Sequence, residues 1–293
     1  MDNILKRYCS RHHIVLQKGE NARILLTLAW NKVLRLKLRL HKWIRGIHHP
    51  VVHCYAICWN EEKMLPFWFD YYERFVDRFT IYDNYSDDHS EEIVKSRKKT
   101  NIVKFSMDGK IDDRVYLRIK DNCWKHSRGK ADYVIVGDID ELFFHQRIHE
   151  ALAMLNDNKF SIVKPFGYNM YSTEYPVHTP GVLITQQVKR GVRVPMFDKC
   201  ILFDPHAIVD INYEAGAHEC HPTGRVKSFR TEEFKLLHYK NIGLQQVVDR
   251  YRIYASRLSQ ENIESNLGTE YLKKEQLIIE EFKLNEQQAI EII

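Results

Sequence analysis

Residues 21 to 46 place Leu26, Trp30, Val33, Lys37, Leu40 and Ile44 at three- and four-residue steps, among Lys32, Arg35, Arg39, Lys42 and Arg45. That spacing predicts one basic amphipathic helix, ended by His48-His49-Pro50. Leu34, Leu36, Leu38 and Leu40 also alternate at period two, which a single helical stripe does not explain. From residue 51 the pattern changes to short apolar runs separated by amphipathic stretches. Strands are expected at residues 51–58, 78–82, 102–105 and 132–136, and helices at 61–75, 90–97 and 112–127. Further strands are expected at 161–166 and 181–188, a helix at 245–258, and a helical tail over 261–293.

Strands alternating with helices imply an α/β fold of Rossmann-like type, with a mixed, mostly parallel sheet covered by helices. The expected organisation is a basic helical arm (1–50), one α/β domain (51–243) and C-terminal helices packed on it (244–293). In such sheets ligands bind at the carboxyl ends of the strands. Three polar clusters fall at such ends: Asn60-Glu61, Asp83-Asn84-Tyr85-Ser86-Asp87-Asp88, and Asp138-Ile139-Asp140-Glu141.

Charge sharpens this division. The formal net charge is +5, yet residues 1–50 hold eleven Lys/Arg against two Asp/Glu, so the rest of the chain is mildly acidic. A groove that tracks nucleic acid would place the basic excess on the body, so no nucleic-acid partner is expected. The arm instead fits a helix packed on the body or one lying on an anionic membrane. The six cysteines follow no framework spacing and read as buried thiols of a reducing compartment, and the Met-Asp-Asn start lacks a signal-peptide layout. The longest apolar run, residues 24–30, is too short to span a bilayer. The expected location is cytoplasmic, peripheral on the inner face of a membrane.

In Asp138-Ile139-Asp140, alternation along an extended segment turns both carboxylates to one side and Ile139 to the core. Two hard oxygen donors on one side suit Mg²⁺ or Mn²⁺, whose remaining positions are commonly filled by water and substrate phosphate. An isolated D-x-D is more often a helix cap or a solvated turn; its place after an apolar strand, beside two other polar rims, favours the ligand reading.

Residues 56–62, 82–88 and 137–142, with Asn60-Glu61 followed by Leu65 and Trp68, resemble the family 2 type glycosyltransferases of the GT-A fold, and related family 92 transferases share similar motifs. The resemblance covers about residues 51–240. It implies transfer of a sugar from a nucleotide-sugar donor to a hydroxyl of a glycan or lipid-linked saccharide, dependent on Mn²⁺ or Mg²⁺ and inverting. Asn60 and Glu61 would lie near the nucleotide, Asp83 would contact nucleobase or ribose, and Asn84, Ser86 and Asp88 would shape that loop. Asp138 and Asp140 would contact donor and metal, supported by Glu141. A late histidine commonly completes such a metal site, and His238 is the candidate.

Lys199 is a candidate for the diphosphate. His218, in the cluster of residues 214–221, is the candidate base, because family 2 members use an acidic base on a helix that has no counterpart here. A zinc site at His218-Glu219-Cys220-His221 lacks a second spaced pair. Two alternatives use the same residues: a metal-dependent phosphotransferase or nuclease, and a non-catalytic scaffold binding glycans or membranes.

Overall fold

Four parallel strands occupy the centre of the computed structural model, which describes residues 2 to 293: Thr100–Lys104, Arg78–Asp83, Val52–Cys58 and Tyr133–Asp138, in that spatial order. Their apolar runs are long because helices and loops cover both faces. Leu202–Phe203 continues this sheet antiparallel to Tyr133–Asp138, followed by Ile162–Val163 and Ser228–Phe229, giving seven strands.

A second sheet of five strands has the order Ile290–Glu291, Arg190–Arg193, Phe166–Ser172, Lys235–Ile242, Glu141–Phe144. The chain leaves the first sheet at Asp138 and enters the second at Glu141, so Ile139 and Asp140 form the junction. A third, antiparallel sheet joins Ile14–Val15 to Thr223–Arg225 and Ile208–Asp210, and so fastens the N-terminal segment to the body.

The junction is held by the helix Leu65–Tyr72. Leu65, Phe67, Trp68, Phe69, Tyr71 and Tyr72 are all buried, each such side chain contributing roughly 1.5–3 kcal/mol by removal from water. Two of them also carry hydroxyls that need partners. Tyr71 donates to the Phe143 carbonyl at 2.7 Å; Tyr72 donates to the Glu141 carbonyl at 3.0 Å and accepts from the Phe143 amide at 2.8 Å. A buried aromatic helix thus fixes the strand that follows the acidic motif.

Several elements differ from expectation. The helix expected from residue 61 begins at Leu65, because Asn60 takes a left-handed φ of 54° and the Glu61 and Glu62 amides are bound by Ser90 Oγ and Asp88 Oδ2. The strand expected at 161–166 is split by Pro165 into Ile162–Val163 and Phe166–Ser172, one in each large sheet. The strand expected at 181–188 is instead a turn and the short helix Ile184–Gln187, with buried Ile184 and Val188 one helical turn apart. The tail has its helices, Gln260–Glu264 and Glu275–Gln288, but it finishes as the edge strand Ile290–Glu291.

The arm helix is Asn21–Arg45, closed by Gly46 in the left-handed conformation ahead of the expected stop. Ile24 and Leu28 pack against Ile14 and Val209, Asn31 donates to the His206 carbonyl, and Arg35 and Lys42 pair with Asp204 and Asp132. No helix among the described residues is long and apolar enough to cross a membrane. All six cysteines are free, and Cys9, Cys54, Cys58 and Cys123 are buried.

One buried group ties this fold to pH. His53, beside Ser127 Oγ at 2.8 Å, has its pKa lowered to about 4, chiefly by burial. The unfolded chain therefore takes up this proton first. The stability contributed is complete above the unfolded value near 6.5 and is lost as pH falls toward 4, with a limit of roughly 3 kcal/mol. His53→Gln should unfold with a shallower pH dependence than the parent across this window in urea titrations; parallel curves would exclude His53 as a source of acid sensitivity.

Candidate active site

A cavity of about 620 Å³ opens where Val52–Cys58 and Tyr133–Asp138 end, a size suited to a small-molecule ligand. Trp59 and Glu61 line it from beyond the first strand, Asp138 and Asp140 from the junction, and His238 and Lys240 from Lys235–Ile242. Lys199 and His218 form another wall. The helix Leu244–Arg257 adds Arg250, Tyr254 and Arg257, and the tail adds Asn262, Glu270 and Tyr271.

Asp138 and Asp140 both face this cavity while Ile139 is buried. Strand pairing explains how His238 joins them. His238 lies opposite Glu141 in the antiparallel ladder, and the Tyr239 amide donates to the Asp140 carbonyl at 2.8 Å. His238 Nε2 is 3.4 Å from Asp140 Oδ2, and Arg250 Nη1 is 3.5 Å from the same oxygen. Burial would raise the Asp140 pKa, but His238, Arg250 and Lys199 outweigh it and hold the carboxyl well below its ordinary range.

Each remaining acid also has a cation. Asp138, at the mouth, is 2.8 Å from Lys120, and Glu141 is 2.6 Å from Lys199 with both side chains buried. Burial acts against the Glu141 carboxylate, yet Lys199 and Lys120 bring its pKa down to about 2. Glu61 goes the other way: burial, reinforced by Asp140, Asp138 and Asp88 and opposed by Arg250, pushes it up to about 8.

Of the donor-binding candidates, Glu61, Asp138 and Lys199 line the cavity, whereas Asn60, Asp83, Asn84 and Asp88 do not. Asp83 is buried, its carboxylate 2.5 Å from Lys104 and accepting from Ser86 Oγ and the Ser86 amide. Asp88 accepts from the Glu62 and Ser90 amides, and Asn60 exchanges two hydrogen bonds with Asp87. These residues knit two rim loops together. With its amide oxygen turned toward Arg257, Asn84 accepts from Nη2 at 3.3 Å, and so reaches the cavity only through that arginine. Lys199 is committed to Glu141 and does not extend freely into the space.

His218 lines the cavity, and its Nδ1 lies 3.2 Å from the Met196 carbonyl. Burial, together with Lys199, lowers its pKa to about 4. Gly216 (φ 68°) sits under the ring, and a Cβ there would come within 2.6 Å of it. His221 turns away to Glu214, 2.7 Å distant.

Sequence reasoning missed Lys120, Lys240, Arg250 and Arg257. Their signal was available only as basic residues on otherwise apolar faces: Arg250 falls among Val247, Val248 and Tyr251 on the expected 245–258 helix. Arg257 lies over the Trp59 ring at 3.1 Å, and its Nη1 is buried with no hydrogen-bond partner. Lys240 is 3.9 Å from Glu270, and burial lowers its pKa.

The donor chemistry at Asp140 and His238 fits a divalent ion. Asn169 Oδ1, 3.1 Å from His238 Nδ1, can only accept, so the proton belongs on Nδ1. In the neutral ring this leaves the Nε2 lone pair facing the Asp140 carboxylate. Two electron-rich atoms so placed favour a cation between them, and a second ring nitrogen held by an oxygen is the usual support of a metal-binding histidine. Among the described residues no group of three His, Cys, Asp or Glu encloses an ion, so further ligands would come from substrate and water.

A parallel sheet whose strand ends present this acidic junction to a ligand-sized cavity is the GT-A-like arrangement expected of a glycosyltransferase. The sequence pattern of glycosyltransferase family 92 matches residues 49–285, and the chain belongs to that family. This sets aside the phosphotransferase, nuclease and scaffold alternatives. No curated protein matches the chain.

Among solved structures, Staphylococcus aureus TarS 1-349 is 10% identical with a TM-score of 0.40, covering 79% of this chain and 70% of that one. The same protein in complex with UDP-GlcNAc is 12% identical with a TM-score of 0.39, covering 79% and 71%. Glucosyl-3-phosphoglycerate synthase from Mycobacterium tuberculosis, in complex with phosphoglyceric acid, is 16% identical with a TM-score of 0.29, covering 40% and 44%. No feature of the site rests on these likenesses.

Lys199→Met strands the buried Glu141 carboxylate and should cost about 3–5 kcal/mol in urea unfolding. Adding Glu141→Gln should recover much of that loss. A single variant as stable as the parent would show that the pair is not the internal charge balance of the site.

Proposed function

We propose that the enzyme transfers a sugar from a nucleotide-sugar donor to a hydroxyl of a glycan or lipid-linked saccharide, by direct displacement with inversion. The observation that carries this reading is the Asp140–His238 pair at 3.4 Å, facing a cavity that Lys240 and Arg257 also line. Asp140 and His238 would hold Mn²⁺ or Mg²⁺, with Asp138 at the rim. That ion, when bound, neutralises charge developing on a diphosphate leaving group. The protein's own cations work to the same end: Lys240 and Arg257, which no carboxylate holds closely, would meet the phosphates in place of Lys199.

His218 is the proposed base. The Met196 carbonyl binds its Nδ1 hydrogen, leaving Nε2 with a lone pair, and its low pKa keeps the ring neutral at physiological pH. Glu61 is the second reading, favoured by a carboxyl pushed up to about 8, within the range useful for proton transfer.

The pH–rate profile separates the two readings. A base must be unprotonated, so His218 predicts kcat/KM that is flat above about pH 5 and falls through about 4, whereas Glu61 predicts a half-maximum near 8. His218→Ala should lower kcat by at least about 100-fold under the first reading.

Asp140→Ala should abolish metal-dependent release of nucleoside diphosphate from a panel of nucleotide sugars, with the circular dichroism spectrum unchanged. Undiminished turnover by a folded Asp140→Ala protein would sink the proposal. Heat protection by each nucleotide sugar, with and without Mn²⁺, identifies the donor.

A further inference from the structure

The arm helix Asn21–Arg45 has two apolar faces, and the body covers one. Toward the body lie Ile24, Leu28, Asn31, Arg35, Leu38 and Lys42. At 100° per residue, the opposite side carries Leu26, Trp30, Val33, Leu40, Trp43 and Ile44. These are exposed to 71, 62, 52, 56, 79 and 66% respectively, an apolar strip that runs from Leu26 to Ile44. This resolves the period-two leucines: Leu34 and Leu38 lean inward while Leu36 and Leu40 point out.

Charge around the strip identifies what it meets. The helix has seven Lys/Arg and no Asp/Glu. Arg23, Arg35 and Lys42 pair with Asp210, Asp204 and Asp132 of the body. Lys32, Lys37, Arg39 and Arg45 are exposed, with no ion-pair partner among the described residues. On the helical wheel Lys32 and Arg39 flank one edge of the strip, Arg45 flanks the other, and Lys37 interrupts it.

We infer that this outer face docks the enzyme on an anionic lipid surface, with the strip seated at the boundary between headgroups and acyl chains. Tryptophans favour that boundary, and the flanking cations meet lipid phosphates. A second copy of the chain is a poor occupant, since face-to-face pairing would set four uncompensated cations against four more. An acidic protein groove would satisfy the cations but leaves no reason for an apolar strip open along its entire length. The inference is independent of the proposed donor chemistry, because none of these residues lines the active-site cavity.

The test uses the full chain and vesicles of phosphatidylcholine with or without phosphatidylglycerol. Expected results are co-sedimentation on the order of a hundredfold stronger with the anionic lipid, weakening with salt, and quenching of tryptophan fluorescence by brominated acyl chains. Trp30→Ser with Trp43→Ser should abolish the quenching. Lys32→Glu with Lys37→Glu and Arg39→Glu should remove the preference for anionic lipid. Both variants should melt at the parent temperature, since the replaced side chains point away from the body. Failure of the parent chain to bind anionic vesicles would overturn the inference. So would a parent dimer, by sedimentation velocity, that Trp30→Ser with Trp43→Ser converts to monomer, because the strip would then be a subunit interface.

Discussion

The active site depends on placing several carboxylates in a largely dry interior without letting them protonate. Glu141 and Lys199 meet that constraint first, at 2.6 Å and almost wholly removed from water. Taking two such charges out of solvent is costly, and only close pairing offsets the cost. Glu141 opens one strand of the second sheet and Lys199 precedes Leu202–Phe203 of the first, so their attraction ties the two sheets together at the junction. Asp140 is added within this framework, with Arg250 as its counter-charge and His238 beside it. Each acid of the junction thus has a cation from a different part of the chain, and Asp140 and Glu141 stay ionised before any ligand arrives.

The parallel core was readable because its signals are local. Apolar runs such as Tyr133–Val136 announce strands covered on both faces, and the acids that follow lie where such strands present ligands. The same logic put Asp138, Asp140 and Glu61 on the cavity. It did not show that Asp83 lies off the cavity, because a carboxylate at a strand end looks the same in sequence whether it lines a pocket or meets Lys104 from the neighbouring strand. Lys199 lines the cavity as well, but an exposed and a buried lysine have the same letter, and only the fold brings Glu141 against it.

The far wall was not legible at all. Arg250, Arg257, Tyr254 and Tyr271 reach the cavity because the Leu244–Arg257 helix and the tail fold back across the strand ends, and no periodicity encodes that return. The split of residues 161–172 had a visible cause in Pro165, yet its consequence, two pieces serving two sheets, is a matter of topology. The arm is the reverse case. Its period-two leucines looked like a defect in a helical pattern and turn out to be two stripes on opposite sides of one helix.

That returning tail has a consequence for the order in which the enzyme comes into being on the ribosome. The parallel strands and the Tyr71 and Tyr72 contacts all lie before residue 145, whereas Lys199, the partner of Glu141, and Lys235–Ile242, the strand paired with Glu141–Phe144, are made later. Arg250, Arg257 and Tyr271 emerge later, and until they dock the cavity lacks one side and Asp140 lacks one of its counter-charges. A nascent chain that ends before Lys199 therefore lacks both the cation and the strand that hold Glu141, and the site is complete only once the last helices have been made.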